Sequence, residues 1–229
     1  MILTDSEWQV LLLSLKIAGA AIVFSLPLGI LVAWLLARRQ FWGKSLFDSI
    51  IHLPLVLPPV VLGYLLLITM GRRGFIGAWL YEHFNISFSL NWKGAALASA
   101  VVAFPLVVRS IRLSIESIDL RLENVARTLG ATRLRIFFTI TLPLALPGIL
   151  MGIVLGFARC LGEFGATITF VSNIPGETRT LPLAMYTLIE SPNGEQAAMR
   201  LCVIAIILSL GALLFSDWLL RWHKRKLAG

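Results

Sequence analysis

The residues able to do chemistry in this 229-residue chain are few and clustered. Between Ile118 and Arg135 stand Asp119, Arg121, Glu123, Arg127, Arg133 and Arg135, in a sequence otherwise built of apolar runs. Further on, Arg159 and Glu163 stand four residues apart beside Gly162 and Gly165. Neither group is a catalytic set, which would need a nucleophile, a base and a group to orient the base. His52, His83 and His223 are scattered, and Cys160 and Cys202 match no metal or redox spacing. No G-x-x-x-x-G-K-[ST] phosphate loop occurs, so nucleotide chemistry would belong to another polypeptide. What remains for these charges is recognition, ion pairing and work at membrane depth, where ionisable groups face a cavity or each other. Arg159 and Glu163, at i and i+4, are spaced to pair. The alternative is that "LGEFGATITF", with Glu163, Gly165 and Thr167, forms part of an outer gate.

The elements that carry these residues are read from composition. The chain is 58% hydrophobic and 14% charged, with a mean hydropathy of +0.86. A soluble domain carries about a quarter charged residues, and several apolar runs here suffice to cross a hydrocarbon core of ~30 Å as helix. The reading is an all-α integral membrane protein with five transmembrane helices, over about 8–37, 46–70, 92–115, 136–157 and 201–220, within a transmembrane domain of 8–222. A basic tail follows at 223–229. The net charge of +8 sits in short clusters beside the apolar runs, which speaks for topology and against nucleic acid. Arg38, Arg39 and Lys44, the arginines of 109–135, and Arg221, Lys224, Arg225 and Lys226 fall on one side of a five-span chain. The other side holds Arg72, Arg73, Lys93, Arg159, Arg179 and Arg200, and is the poorer one. This predicts a cytoplasmic C-terminus and an outer N-terminus. Thr4, Asp5, Ser6 and Glu7 supply no basic n-region, so no cleaved signal peptide is expected.

Between Ile118 and Leu129, the apolar residues Ile118, Leu122, Val125, Ala126 and Leu129 fall at the spacing of one helical stripe. Gly130 follows where a left-handed cap favours glycine, and Thr132 can cap the helix that becomes the fourth span. Two roles suit such a helix: lying on lipid headgroups, or presenting a face to a partner protein. The spans themselves are interrupted by proline, which removes a backbone donor and bends a helix. Pro143 and Pro147 lie four apart on one face, with Thr139 and Thr141 available to satisfy nearby backbone groups. In "LPLVLPPVVLG", Pro54, Pro58 and Pro59 predict a bent second span that lines a pathway.

The spacing from Gly130 through nine residues to Ile140, Leu142 and Pro143 resembles the cytoplasmic signature of ABC importer membrane subunits: E-A-A, three residues, G, nine residues, I-x-L-P. The first element departs, since Asn124, Val125 and Ala126 occupy its places and Glu123 stands one position early. "LGEFGATITFVSNIPGETRTLPLAMYTLIE", "HLPLVLPPVVLGY" and "GRRGFIG" resemble the molybdate-type permeases of bacterial ABC importers, and sulfate and thiosulfate permeases have a related version. The resemblance implies a type I ABC importer permease fold, with a coupling segment at 118–135 between the third and fourth spans. It implies a homodimer with a second permease copy in the lipid of a bacterial inner membrane, two cytoplasmic ATP-binding subunits, and a periplasmic or extracellular molybdate-binding protein. The cargo would be molybdate, with tungstate also possible. Glu123, Ala126, Arg127, Gly130 and Arg133 would then meet the ATPase, and Pro54, Pro58, Pro59, Pro143, Pro147, Glu163, Gly165 and Thr167 would belong to the pathway or its gate. No cofactor is implied. A sulfate or thiosulfate permease is the alternative within the class. A self-sufficient secondary transporter or channel would call for inverted repeats and carboxylates within the spans, neither of which stands out.

Overall fold

The computed structural model describes residues 4–227, which are helical wherever they are regular. In chain order the helices are α1 (Asp5–Arg38), α2 (Lys44–Val56), α3 (Pro59–Met70), α4 (Phe75–Phe84), α5 (Trp92–Glu116), α6 (Leu120–Thr128) and α7 (Arg133–Ile136). A π-helical turn (Phe137–Thr141) leads into α8 (Leu142–Leu144), followed by α9 (Leu146–Leu161), α10 (Gly165–Val171), α11 (Leu181–Ile189) and α12 (Glu195–Leu227). Among the described residues, α1, α5 and α12 are each long and apolar enough to cross a membrane alone. Two bent pairs, α2 with α3 and the α7–α8 run with α9, raise the number of spans to five when each pair counts once. The end of the basic tail at 228–229 lies outside the described residues.

Long helices need defined starts, and both α1 and α5 have them. Thr4 accepts a hydrogen bond from the Glu7 amide while the Glu7 carboxylate accepts one from the Thr4 amide, a closed capping box. Asn91 caps α5 by accepting from the Gly94 amide at 3.1 Å. From these starts α1 and α5 run in the same direction. Ile17 of α1 shares a buried cluster with Ala95 and Ala98 near the start of α5, whereas Ala33 and Leu36 share one with Ile111 and Ile115 near its end. Helix α9 runs the opposite way, from Gly148 beside Ser110 and Ser114 to Cys160, whose thiol reaches the Ser99 carbonyl. Gly148, Gly152 and Gly156 stand four apart along it, and Cβ atoms added at any of them would press on α5. With lipid outside, helices gain little from apolar burial and associate by close packing, which a stripe of small residues permits. Helix α12 starts beside α1, where Arg200 donates to the Glu7 carboxylate at 2.8 and 3.0 Å. One end of the bundle therefore holds the starts of α1, α5 and α12, and the other holds the ends of α1 and α5 together with α6.

The second apolar stretch, expected as one bent span, turns much further than a proline kink. Helices α2 and α3 meet at 114°. Pro58 biases the residue before it away from helix, and Leu57 is extended at φ −70° and ψ 140°. Pro59 then starts α3, at the position where a missing amide hydrogen costs nothing. The pair still joins the two ends of the bundle: Asp48 of α2 pairs with Arg112 near the end of α5, while Leu62 and Leu66 of α3 pack with Ala95 and Ala96 near its start. Helix α4 had no counterpart in the sequence reading.

Candidate functional site

At the α6 end, local sequence makes a short helix with a defined start and stop. Asp119 caps α6 by accepting from the Arg121 amide at 2.9 Å. Gly130 sits in the left-handed region at φ +82°, and the Ala131 amide reaches back to the Ala126 carbonyl at 3.0 Å, so the last turn closes on itself. Thr132 accepts from the Arg135 amide and opens α7, as its position suggests.

The helix is rotated relative to the expectation from its apolar stripe. Leu122, Val125 and Leu129 are exposed, and Glu123 is buried with 4% of its surface accessible. Its carboxylate accepts from Arg38 Nε at 2.9 Å and from the Thr141 hydroxyl at 3.1 Å. The Arg127 guanidinium lies 3.7 Å away, and Arg38 also donates to the Ile118 carbonyl at 3.3 Å. Burying a carboxylate is costly unless it is paired and hydrogen-bonded, and this one has a cation on each side. One carboxylate thus ties α6 to the end of α1 and to the π turn that opens the fourth span. Glu123 was expected on the face offered to a partner; its burial makes it an anchor instead. Of the other coupling candidates, Arg127, Gly130 and Arg133 are exposed and Ala126 is half-buried.

Beyond the anchor the chain bends. The Leu142 amide donates to the Phe137 carbonyl five residues back, the mark of the π turn. Together with Pro143 and Pro147 it leaves the α7–α8 run at 64° to α9. The Thr139 hydroxyl serves the backbone as expected, donating to the Arg135 carbonyl at 2.6 Å. Thr141 does not: its hydrogen goes to Glu123.

The remaining pathway candidates fall in two places. Near the other end, Arg159 and Glu163 pair at 2.7 Å, and the second Glu163 oxygen accepts from the Ala166 amide at 2.8 Å, fixing the start of α10. Gly165 packs on Pro59 so closely that a Cβ would lie 2.8 Å from the proline ring. Gly63 lets α3 approach α10 in the same way, since a Cβ added there would lie 2.6 Å from the Ala166 carbonyl oxygen. Thr167 is wholly buried beside them, its hydroxyl without a partner among the described residues. Pro58, Pro59, Glu163, Gly165 and Thr167 therefore belong to one junction. Pro54 lies apart, in a groove with Phe24, Leu28 and Phe104 at mid-bundle. Among the described residues no cluster of His, Cys, Asp and Glu is arranged to hold a metal.

Sequence reasoning missed Arg38 and Thr141, which lie 85 and 18 residues from Glu123. It also missed Asp48, which pairs with Arg112 at 2.8 Å, while Arg112 pairs with Glu116 at the same distance. Only the i, i+4 spacing of Arg112 and Glu116 was there to be found.

Comparison with known proteins gives four findings. Residues 25–229 match the family described as binding-protein-dependent transport system inner membrane component. The molybdenum transport system permease protein ModB of Escherichia coli strain K12 is 66% identical over 226 residues, which is 99% of both chains. The sulfate transport system permease protein CysT of the same organism is 35% identical over 209 residues, covering 91% of this chain and 73% of that one. Among solved structures, a bacterial ABC transporter that imports the acidic polysaccharide alginate matches with a TM-score of 0.74 at 20% identity, over 96% of this chain and 80% of that one. That last likeness is one of fold.

Proposed function

Because this chain belongs to the family of binding-protein-dependent transport system inner membrane components, we infer that it is the permease subunit of an ATP-driven importer that carries molybdate across the inner membrane. The observation that carries the cargo is the identity of 66% to a molybdenum permease, against 35% to a sulfate permease, each over most of this chain. The subunit is a multi-pass membrane component and not itself an ATPase. Its partners are an ATP-hydrolysing subunit and a soluble binding protein.

The finer reading is that two copies form the pathway, that two ATP-binding subunits dock on α6, and that α6 faces the cytoplasm with the N-terminus outside. Three features support it. The basic residues are concentrated at the α6 end. Leu122, Val125 and Leu129 form an exposed apolar face with Arg127 beside it, suited to a groove on a partner. The Glu123 anchor joins that face to α1 and to the bent span, so a displacement of α6 moves both as a unit. Ala126, Arg127 and Gly130 are the proposed contact residues, while Arg133 lines the cavities behind them; the Pro59–Gly165 junction, with Glu163 and Thr167, is the proposed gate.

The test is uptake of labelled molybdate and sulfate in cells lacking molybdate import that express this chain with its partner subunits. Molybdate accumulation is expected only when the ATPase subunit is present. Uptake without it overturns the coupling reading, and accumulation of sulfate in place of molybdate overturns the cargo.

A further inference from the structure

At the α6 end two cavities of opposite character share a wall. The first, about 150 Å³, is polar and is lined by Arg38, Arg39, Arg127 and Arg133 around the Glu123 carboxylate. The second, about 380 Å³, is almost wholly apolar and is lined by Leu31, Leu134 and Phe138. Trp34, Phe137, Arg39 and Arg133 line both. The shared wall is a built surface: Trp34 meets Phe137 edge to face at 5.9 Å, and the Arg39 guanidinium lies 5.5 Å from the Trp34 ring.

The charges in the polar cavity do not balance. Glu123 is committed to Arg38, with Arg127 at 3.7 Å. Among the described residues neither Arg39 nor Arg133 has a carboxylate within 4.0 Å. Two cations thus point at one chamber without a counter-ion. Directly along the helix from them, Leu31 and Trp34 place the apolar groove inside the last two turns of the membrane-spanning α1. A protein partner docking from water meets the arginines, whereas the groove runs along the last two turns of a helix long and apolar enough to cross a membrane. A free anion fills the chamber and leaves the groove empty.

We propose that these joined cavities are a binding site for one anionic glycerophospholipid, its phosphate held by Arg39 and Arg133 and an acyl chain lying along Leu31, Leu134 and Phe138. Basic pockets at the membrane surface, open to the bilayer between helices, are suited to such headgroups. The polar chamber shares its wall with the Glu123 anchor, whose carboxylate is held by Arg38 and Arg127, so a phosphate on Arg39 and Arg133 is placed to steady the α6–α7 turn.

The test uses the permease–ATPase complex reconstituted in phosphatidylcholine bilayers containing about one fifth phosphatidylglycerol, with retained lipid counted by native mass spectrometry after mild detergent extraction. Phosphatidylglycerol is expected to be enriched over its bulk share, and R39Q/R133Q to lower that enrichment roughly tenfold. R39K/R133K keeps the charge and is expected to keep most of it. L134D, which spoils the groove and spares the arginines, is expected to release the lipid as well. Membrane insertion of each variant is checked on the same samples. Equal retention of phosphatidylcholine and phosphatidylglycerol overturns the proposal, as does enrichment unchanged in R39Q/R133Q. Release of the lipid by soluble glycerol 1-phosphate marks a site for free anions and overturns it too. If R39Q/R133Q sheds the ATPase while phosphatidylglycerol stays, the cavities are a protein contact and the lipid assignment falls.

Discussion

Removing the Glu123 carboxylate is the sharpest probe of how α6 is held. The side chains of Glu123 and Arg38 are 6% and 9% exposed, so solvent screening weakens their attraction little. In Glu123→Ala, Arg38 keeps its charge in that site with only the Ile118 carbonyl as a partner, and Thr141 loses its acceptor. Leaving one member of a buried pair alone costs about 3–5 kcal/mol. At the lower figure the population of undocked α6 rises about a hundredfold. Because α6 has an exposed apolar face and few neighbours, the loss is expected as local opening of residues 120–128 and not as global unfolding. Glu123→Gln keeps an acceptor for Arg38 and Thr141 but leaves the buried guanidinium uncompensated, so its cost is about 1.5–3 kcal/mol and the opening is smaller than in the alanine variant but still at least tenfold. Hydrogen exchange of the α6 amides, read by mass spectrometry on the purified importer, measures the opening directly. Uptake per ATP hydrolysed measures its consequence, and is expected to collapse in the alanine variant while basal hydrolysis continues. Unchanged exchange over 120–128 in Glu123→Ala, together with full uptake, would refute the anchor.

Two further substitutions test the turn and the far junction. Gly130 sits at φ +82° with no atom near an added Cβ, so Gly130→Val meets only the backbone penalty of that region, about 1–2 kcal/mol; uptake should fall with normal membrane insertion by immunoblot, and Gly130→Asn should retain more of it. Gly63→Val drives a side chain into the Ala166 carbonyl and should lower thermal stability by about 1–3 kcal/mol, whereas Val60→Ala, one turn away on an exposed position, should leave the melting temperature unchanged.

Much of the fold was legible because local rules decide it. Long apolar runs set α1 and α5, Gly130 and Thr132 mark where one helix stops and the next starts, and the spacing of Arg159 and Glu163 gives their pair. The facing of α6 was not legible, for a reason particular to membranes. A stripe such as Leu122, Val125 and Leu129 says that one side is apolar, but a partner or a bilayer satisfies it as well as a core does. What settles the rotation is Arg38, brought in by the packing of α1 on α5. The angle between α2 and α3 escaped for a related reason: prolines announce a break, and its size depends on what α3 finds to pack on, here Gly165 and Ala166 of α10. The glycines at 148, 152 and 156 were a readable signal that had gone unread.

The π turn at Phe137–Thr141 has a geometric consequence for the handle it precedes. A regular helix advances 100° per residue, and closing a turn five residues back takes in one residue more than the α-helical ladder does. Everything before Phe137 is therefore wound about a hundred degrees around the span axis from where a continuous α-helix would leave it. The compass direction in which α6 is presented is fixed by the hydrogen-bond register of a single turn inside the span. Rewinding those five residues as ordinary α-helix would swing Arg133 and Leu134 away from Trp34 while α9 stayed seated against α5, and the chain would remain helical throughout.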